Sequence, residues 1–223
     1  MAEPRRPIVL GITGASGAPY AIRLLEVLLH AGHQVHLSIS PSGAAVIEQE
    51  LGVRVDLKEF DPRQLTPERI REQTPWFPAN SQQPTANSGA ELHYHHWQDF
   101  MAPIASGSFL AGGTVICPCS GTTLAAIAAG IEGNLIQRAA EVALKERRKL
   151  IVVPRETPIS PTYVANMQRA TDAGAVVLPA SPGWYHGVRD LGDIVDFVVA
   201  RICDQLGVDN GLMKRWGAEA NDE

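Results

Sequence analysis

Two short stretches of this chain carry the residue types that hold phosphate esters. The first is Gly11-Ile12-Thr13-Gly14-Ala15-Ser16-Gly17, where three glycines recur at three-residue intervals between the apolar run Ile8-Val9-Leu10 and a helical pattern beginning near Pro19. Glycine lets the backbone approach a phosphate, and a helix starting there points unpaired amides and the positive end of its dipole at the anion. The same turn could be a tight connection and nothing more. Its spacing narrows the ligand: dinucleotide sites use G-x-G-x-x-G and an acidic residue about 20 positions later for the ribose hydroxyls, whereas here the spacing is G-x-x-G-x-x-G and the second strand ends in Ser40. No G-x-x-x-x-G-K-[ST] occurs, so the phosphate loop of ATP and GTP hydrolysis is missing. NAD is disfavoured, and a mononucleotide such as FMN stays open.

The second stretch, Cys117-Pro118-Cys119-Ser120-Gly121-Thr122-Thr123, repeats the strand-to-helix logic. Its hydroxyls and amides could line a flavin crevice at the switch point of a parallel sheet, and the alternative is an ordinary Ser120 N-cap. Cys119 as a nucleophile has no His or Asp at a diagnostic offset, and a buried cysteine is inert.

Charge comes next. Arg138, Lys145, Arg147, Arg148 and Lys149 precede Pro154-Arg155-Glu156-Thr157-Pro158. Such runs usually make a solvated helix face, but Arg138 and Lys145 are seven apart, on one face with Glu141, and two such cations can hold a phosphate dianion. Arg155-Glu156 follow a buried strand, where Glu156 would act as general acid or base with its pKa raised by partial burial. His93, His95 and His96 suggest a metal at first sight, yet no Cys, Asp or Glu completes a ligand spacing, so no metal is expected and a polar loop is the plainer reading. Trp184-Tyr185-His186 lie in a strand-end loop, either as core or as the lining of a crevice, with Tyr185 as a donor to phosphate.

These residues need a scaffold. Ile22, Leu25, Leu28 and Leu29 share one helix face, Gly32 ends that helix, and Val35 to Ser40 reads as a strand followed by a helix from Pro41 to about Leu51. Thr114 to Cys117 predicts a strand, Ser120 to Arg148 a helical region, and Leu150-Ile151-Val152-Val153 and Ala175-Val176-Val177-Leu178 buried parallel strands around a helix containing Met167. Leu191, Val195, Val198, Ile202 and Leu206 mark a last helix. The alternation predicts an α/β fold, a three-layer doubly wound, Rossmann-like and mainly parallel sheet. From 60 to 98 the periodicity is lost among Pro, Asn, Gln and Ser, which predicts a surface insertion, and 209–223 reads as a terminal arm packed on something through Leu212, Met213 and Trp216.

The 223 residues fit a single domain. A net charge of −5 with dispersed basic residues argues against a nucleic-acid partner. Three cysteines, an odd number, do not make a disulfide framework, and the chain shows neither a signal peptide nor an apolar stretch long enough for a membrane span. A soluble, cytoplasmic protein acting on a small molecule is expected.

Taken together, Thr13-Gly14-Ala15-Ser16-Gly17-Ala18, Cys117-Pro118-Cys119-Ser120, the run from Arg138 to Arg148, Pro154-Arg155-Glu156 and Gly183-Trp184-Tyr185-His186 closely resemble the UbiX-type flavin prenyltransferases, and the resemblance continues through Val198-Val199-Ala200-Arg201 to Arg215-Trp216-Gly217. It covers nearly the whole chain outside 60–98, a segment longer and richer in His than the family pattern. The resemblance implies a flavoprotein-type fold and transfer of dimethylallyl, from dimethylallyl monophosphate, to N5 and C6 of reduced FMN without a metal. The product, prenylated FMN, would go to a UbiD-type decarboxylase, including one in ubiquinone biosynthesis. The family forms homo-oligomers, commonly dodecamers, with each flavin site built where subunits meet. An FMN-dependent cysteine decarboxylase of the same fold is the alternative, resembling the catalytic motifs less.

Residue by residue, the resemblance implies that Gly14, Ala15, Ser16, Ser40, Ser120, Gly121, Thr122, Thr123 and Arg155 contact FMN. Arg138, Lys145, Tyr185 and Arg201 would hold the prenyl phosphate, and Ser106 and Gly107 would border the substrate. Glu50 and Glu156 would manage protons, Ser16 would assist near N5, and Trp216 would offer its π face to the allylic fragment.

Overall fold

The computed structural model describes residues 5–78 and 90–217. Its sheet has the order β3-β2-β1-β4-β5-β6, every adjacent pair parallel. The strands are β1 (Ile8–Ile12), β2 (Val35–Ile39), β3 (Leu92–Tyr94), β4 (Gly113–Cys119), β5 (Leu150–Pro154) and β6 (Val176–Val177). Every residue of β1, β2, β4 and β5 is buried, as continuous apolar runs must be when helices cover both faces. From β1 the chain winds outward to β2, and from β4 it winds the other way to β5, so the switch point lies between β1 and β4.

The faces are set by the alternation of side chains along each strand. Leu10, Leu37, Val115 and Ile151 point to one side, against Leu24 and Leu28 of α1 (Ala18–His30), Ile47 of α2 (Pro41–Leu51), Ile70 of α3 (Pro67–Gln73) and Val198 and Ile202 of α7 (Leu191–Leu206). Ile116 and Val152 point to the other, against Leu124 of α4 (Gly121–Ala128), Ala140 of α5 (Leu135–Lys145) and Ala170 of α6 (Pro161–Asp172). This is the doubly wound α/β sandwich that the periodicity predicts. A buried ion pair sits inside it: Arg23, 1% exposed, donates from Nε to Asp196 at 2.7 Å and pairs with Glu26 at 2.8 Å, tying α1 to α7.

Three elements differ from the sequence reading. The helical region from Ser120 to Arg148 is two helices, broken around Gly130 in the left-handed region (φ 67°) and restarted where the Asn134 side chain accepts from the Gln137 amide. The strand read as Ala175 to Leu178 pairs over two residues only. The 60–98 stretch is not wholly peripheral: Leu65, Ile70 and Phe77 join the core, and Leu92–Tyr94 adds a parallel edge strand to β2. Residues 79–89 of that stretch lie outside the described residues.

That edge strand explains the histidines. His36 on β2 is 7% exposed, its Nδ1 lies 2.9 Å from His95 Nε2, and its ring stacks on His93 at 4.7 Å under the edge of Phe109. His93 meets Glu91 at 3.1 Å, and among the described residues no group of three or more His, Cys, Asp or Glu could hold a metal. Burial, then the neighbouring His95 and His93, push the His36 pKa down to about 4, and burial lowers His95 as well. An unfolded histidine takes its proton near 6.5, so the unfolded state binds protons first as the pH falls, and stability present above about 6.5 is lost on the way down to about 4. Urea midpoints are expected to fall between pH 7 and pH 4.5, and His36→Leu to flatten that slope; equal slopes for both proteins would refute the assignment.

Candidate functional site

The two turns meet at the switch point through one side chain. Thr13, 2% exposed, donates from Oγ1 to the Pro118 carbonyl at 2.8 Å and accepts at the same oxygen from the Ser120 amide, also at 2.8 Å. Its own amide reaches the Pro118 carbonyl at 3.2 Å. The first turn then runs tight against α2: a Cβ on Gly14 would lie 2.4 Å from the Ser42 Cβ. Gly17 adopts φ 127°, open to glycine and strained for other residues.

The helix mouth expected to face a phosphate already holds an anion. Glu50, at the end of α2, accepts from the amides of Gly17 at 2.9 Å and Ala18 at 2.8 Å, so its carboxylate takes the first donors of α1. The amide-to-phosphate geometry read from the first turn is therefore corrected. Ser40 accepts from the Gly43 amide at 3.0 Å and Ser120 from the Thr123 amide at 3.2 Å, so both serines are N-caps. Ser120 also donates to the Thr123 hydroxyl at 3.0 Å. Gly121 and Thr122 form the first turn of α4, whose amides have no carbonyl one helical turn earlier to bond. Of the two turns, the second offers the anion-binding end.

Arg155, just past β5, donates from Nε to the Ser16 carbonyl at 3.4 Å and so spans from the edge of β5 to the first turn. With Ala15 buried and Ser16 exposed, Gly14, Ala15, Ser16, Ser40, Ser120, Gly121, Thr122, Thr123 and Arg155 all follow the carboxyl ends of β1, β2, β4 and β5. Hydroxyls, helix-start amides and one guanidinium, with no acid at the end of β2, suit a phosphate monoester and the polar edge of a flavin.

Glu156 differs from its expectation. It is exposed rather than partly buried, and its carboxylate accepts only from the next amide, Thr157, at 3.2 Å. It borders a cavity of about 110 Å³ lined also by Arg155, Tyr163, Met167 and Ala180. Cys119 is fully buried and burial pushes its thiol up to about 12, with Cys117 shifted the same way, so neither supplies a thiolate.

The remaining candidates form two further groups. Arg138 donates from Nε to the Ala105 carbonyl at 2.9 Å and pairs with Glu132, not Glu141, at 2.7 Å. A Cβ on Gly107 would lie 3.0 Å from the Lys145 Nζ, which itself pairs with Glu146, so Ser106, Gly107, Arg138 and Lys145 are neighbours on the α5 face. Tyr185 meets the Trp216 ring edge-on at 5.2 Å, and Arg201 and Arg215 share Asp204 at 2.8 and 2.6 Å. That third group stands on the α7 face, and Trp216 is 80% exposed. The two groups lie on opposite faces of the sheet. Lys145 also ends α5, close to the amino end of β5, whereas Arg155 follows its carboxyl end, about 16 Å away for a five-residue strand. One chain therefore gathers the residues expected at the flavin on neighbouring strand ends but does not bring together Arg138, Lys145, Tyr185 and Arg201.

Sequence reading missed Thr13 and Tyr163. A threonine closing a strand just ahead of a glycine was a usable signal for the first, while nothing local marked the second.

Doubly wound parallel sheets bind their ligands at the switch point, and here the class is a flavoprotein: the family model named Flavoprotein matches residues 1–203. A flavin prenyltransferase UbiX of Thermoplasma acidophilum is 45% identical over 94% of this chain and 99% of its own. The crystal structure of AnUbiX (PadA1) in complex with FMN and dimethylallyl pyrophosphate superposes with a TM-score of 0.78 at 35% identity, covering 97% of this chain and 100% of that one. A dodecameric FMN-dependent UbiX-like decarboxylase from Escherichia coli O157:H7 gives 0.75 at 33% identity, covering 95% and 100%. The chain belongs to the UbiX flavin prenyltransferase family.

Thr13→Val keeps the shape and removes the oxygen that joins the turns. Loss of about 1–3 kcal/mol is expected in urea unfolding, because the Ser120 amide is left without its acceptor; an unchanged midpoint would remove Thr13 from its structural position.

Proposed function

We propose that this chain transfers dimethylallyl from dimethylallyl monophosphate to N5 and C6 of reduced FMN. The observation that carries the reading is family membership over almost the whole chain joined to a crevice whose donor set suits a flavin mononucleotide. Reduced FMN, as the acceptor substrate at Gly14, Ala15, Ser16, Ser40, Ser120, Gly121, Thr122, Thr123 and Arg155, would offer N5 to the carbon that phosphate leaves, losing the N5 proton, and C6 to the remaining double bond once that bond is protonated, losing the C6 proton, so no protein nucleophile is needed.

The protein's residues handle the leaving group. Breaking an allylic carbon–oxygen bond leaves a delocalised cation and a phosphate, and Arg138, Lys145, Arg201 and the Tyr185 hydroxyl hold that phosphate. A monophosphate leaves less readily than a diphosphate, so a proton from Glu156 to its bridging oxygen assists the cleavage. The Trp216 face stabilises the allyl cation by about 0.5–2 kcal/mol, with Ser106 and Gly107 beside the substrate and Ser16 near N5. Glu50, bonded to the Gly17 and Ala18 amides, holds the turn that presents Ser16 and shares the proton handling with Glu156.

The opposite placement of the α5 and α7 groups supports a homo-oligomer, on the pattern of the dodecameric neighbour, in which Arg138 and Lys145 of one chain complete a site with Tyr185, Arg201 and Trp216 of another. The prenylated FMN would pass to a UbiD-type decarboxylase in the cytoplasm; among the described residues no helix is long and apolar enough to cross a membrane.

Anaerobic incubation with reduced FMN and dimethylallyl monophosphate should yield a flavin heavier by one C5 unit, read by mass spectrometry. Glu156→Gln should lower kcat on the order of 100-fold. Unmodified flavin, with carbon dioxide released from a cysteine-containing substrate, would instead favour the cysteine decarboxylase. Lys145→Ala and Tyr185→Phe should each be nearly inactive, yet co-refolded at equal amounts they should regain about a quarter of the activity, since random mixing of a closed oligomer rebuilds that share of intact sites; no recovery would mean that one chain supplies both residues.

A further inference from the structure

The cavity of about 110 Å³ beside Glu156 contains a donor that nothing answers. Tyr163 stands at the third position of α6, where its amide donates to the Ser160 cap at 3.2 Å, and its side chain is 8% exposed. Its ring lies over Gly121, where a Cβ would come within 3.2 Å of Cε2, so the absence of that Cβ lets the ring seat. The phenol oxygen is buried and has no hydrogen-bond partner among the described residues. Leaving such a group unpaired costs about 1–3 kcal/mol, which favours an acceptor within the cavity.

Around the phenol stand Cys119 from β4 and Arg155 and Glu156 from the end of β5. Arg155 is a donor, the buried thiol is a weak acceptor, and Glu156 is the carboxylate that lines the cavity. Its present bond, 3.2 Å to the adjacent Thr157 amide, is local and exposed, so the carboxylate can rotate inward while Tyr163 stays fixed. We infer that Tyr163 is a positioning residue for Glu156: its hydroxyl donates to the Glu156 carboxylate in the working site, aiming the acid and steadying its ionised form once the proton has left. This rests on Glu156 being the acid of the proposed transfer. Burial, with the charge of Glu156, holds the phenol pKa up to about 12, so the hydroxyl keeps its proton and remains a donor at every working pH.

Tyr163→Phe deletes the oxygen and keeps the ring. Without the donated bond the Glu156 carboxylate loses stabilisation, so its titration, followed by carbon-13 NMR of labelled glutamate with Glu156→Gln to assign the signal, should move upward by about one pH unit. In prenyl transfer the plateau kcat at pH values below the acid's limb should fall several-fold and that limb should move upward, while KM for dimethylallyl monophosphate stays within twofold. A residue that only packs would lower the urea midpoint and leave both titrations in place, and that result would overturn the inference. A moved Glu156 titration combined with full activity of Glu156→Gln would uphold the contact and remove the acid assignment instead.

Discussion

A single buried hydroxyl joins the halves of this protein's site. The sheet brings the ends of β1 and β4 side by side, but parallel strands leave their following turns free to splay. Thr13 prevents that by accepting from one residue of the second turn and donating to another, across 105 residues of sequence. The positions of Ser16 on one side and of Ser120, Gly121 and Thr122 on the other are thus one geometric fact. Arg155 extends the arrangement to β5. A flavin laid across these ends would meet donors whose spacing was set before it arrived, which is the condition for binding without reorganisation.

The second constraint is topological. Helices that follow β4 must cover one face of the sheet and those packed with α1 the other, so cations on α5 and aromatics beside α7 point away from each other within one chain. Chemistry that needs both would gain them by repetition of the chain. The exposed Trp216 and Tyr185 then cease to be anomalies on a water-facing surface, since apolar rings at the margin of a crevice are what an adjoining copy would cover.

Much of this architecture was legible before any coordinates, because burial on two faces writes itself as unbroken apolar runs and amphipathic helices as a period near four. The helix over Pro41–Leu51 matches its predicted range and the core strands start within one residue of theirs for that reason. What failed to show was short or distant. Three residues at Leu92–Tyr94 are too few for a periodic signal, and their strand character comes from the edge of β2 waiting for a partner. Breaking the region after Ser120 into two helices rests on one glycine with positive φ and one asparagine cap, signals easily lost among good helix formers. In the site the residue types were readable from the two turns, but Glu50 meets Gly17 across 33 residues and Tyr163 meets Gly121 only through the packing of α6 on α4, so no spacing rule could reach them.

Glu50 also changes what the glycine turn is for. A helix mouth filled by the protein's own carboxylate repels any further negative group: two like charges about 4 Å apart cost about 4 kcal/mol near a protein surface. A phosphate drawn to the first turn would meet this carboxylate before it met an amide, so the glycine turn serves the fold's own acid ahead of any incoming anion.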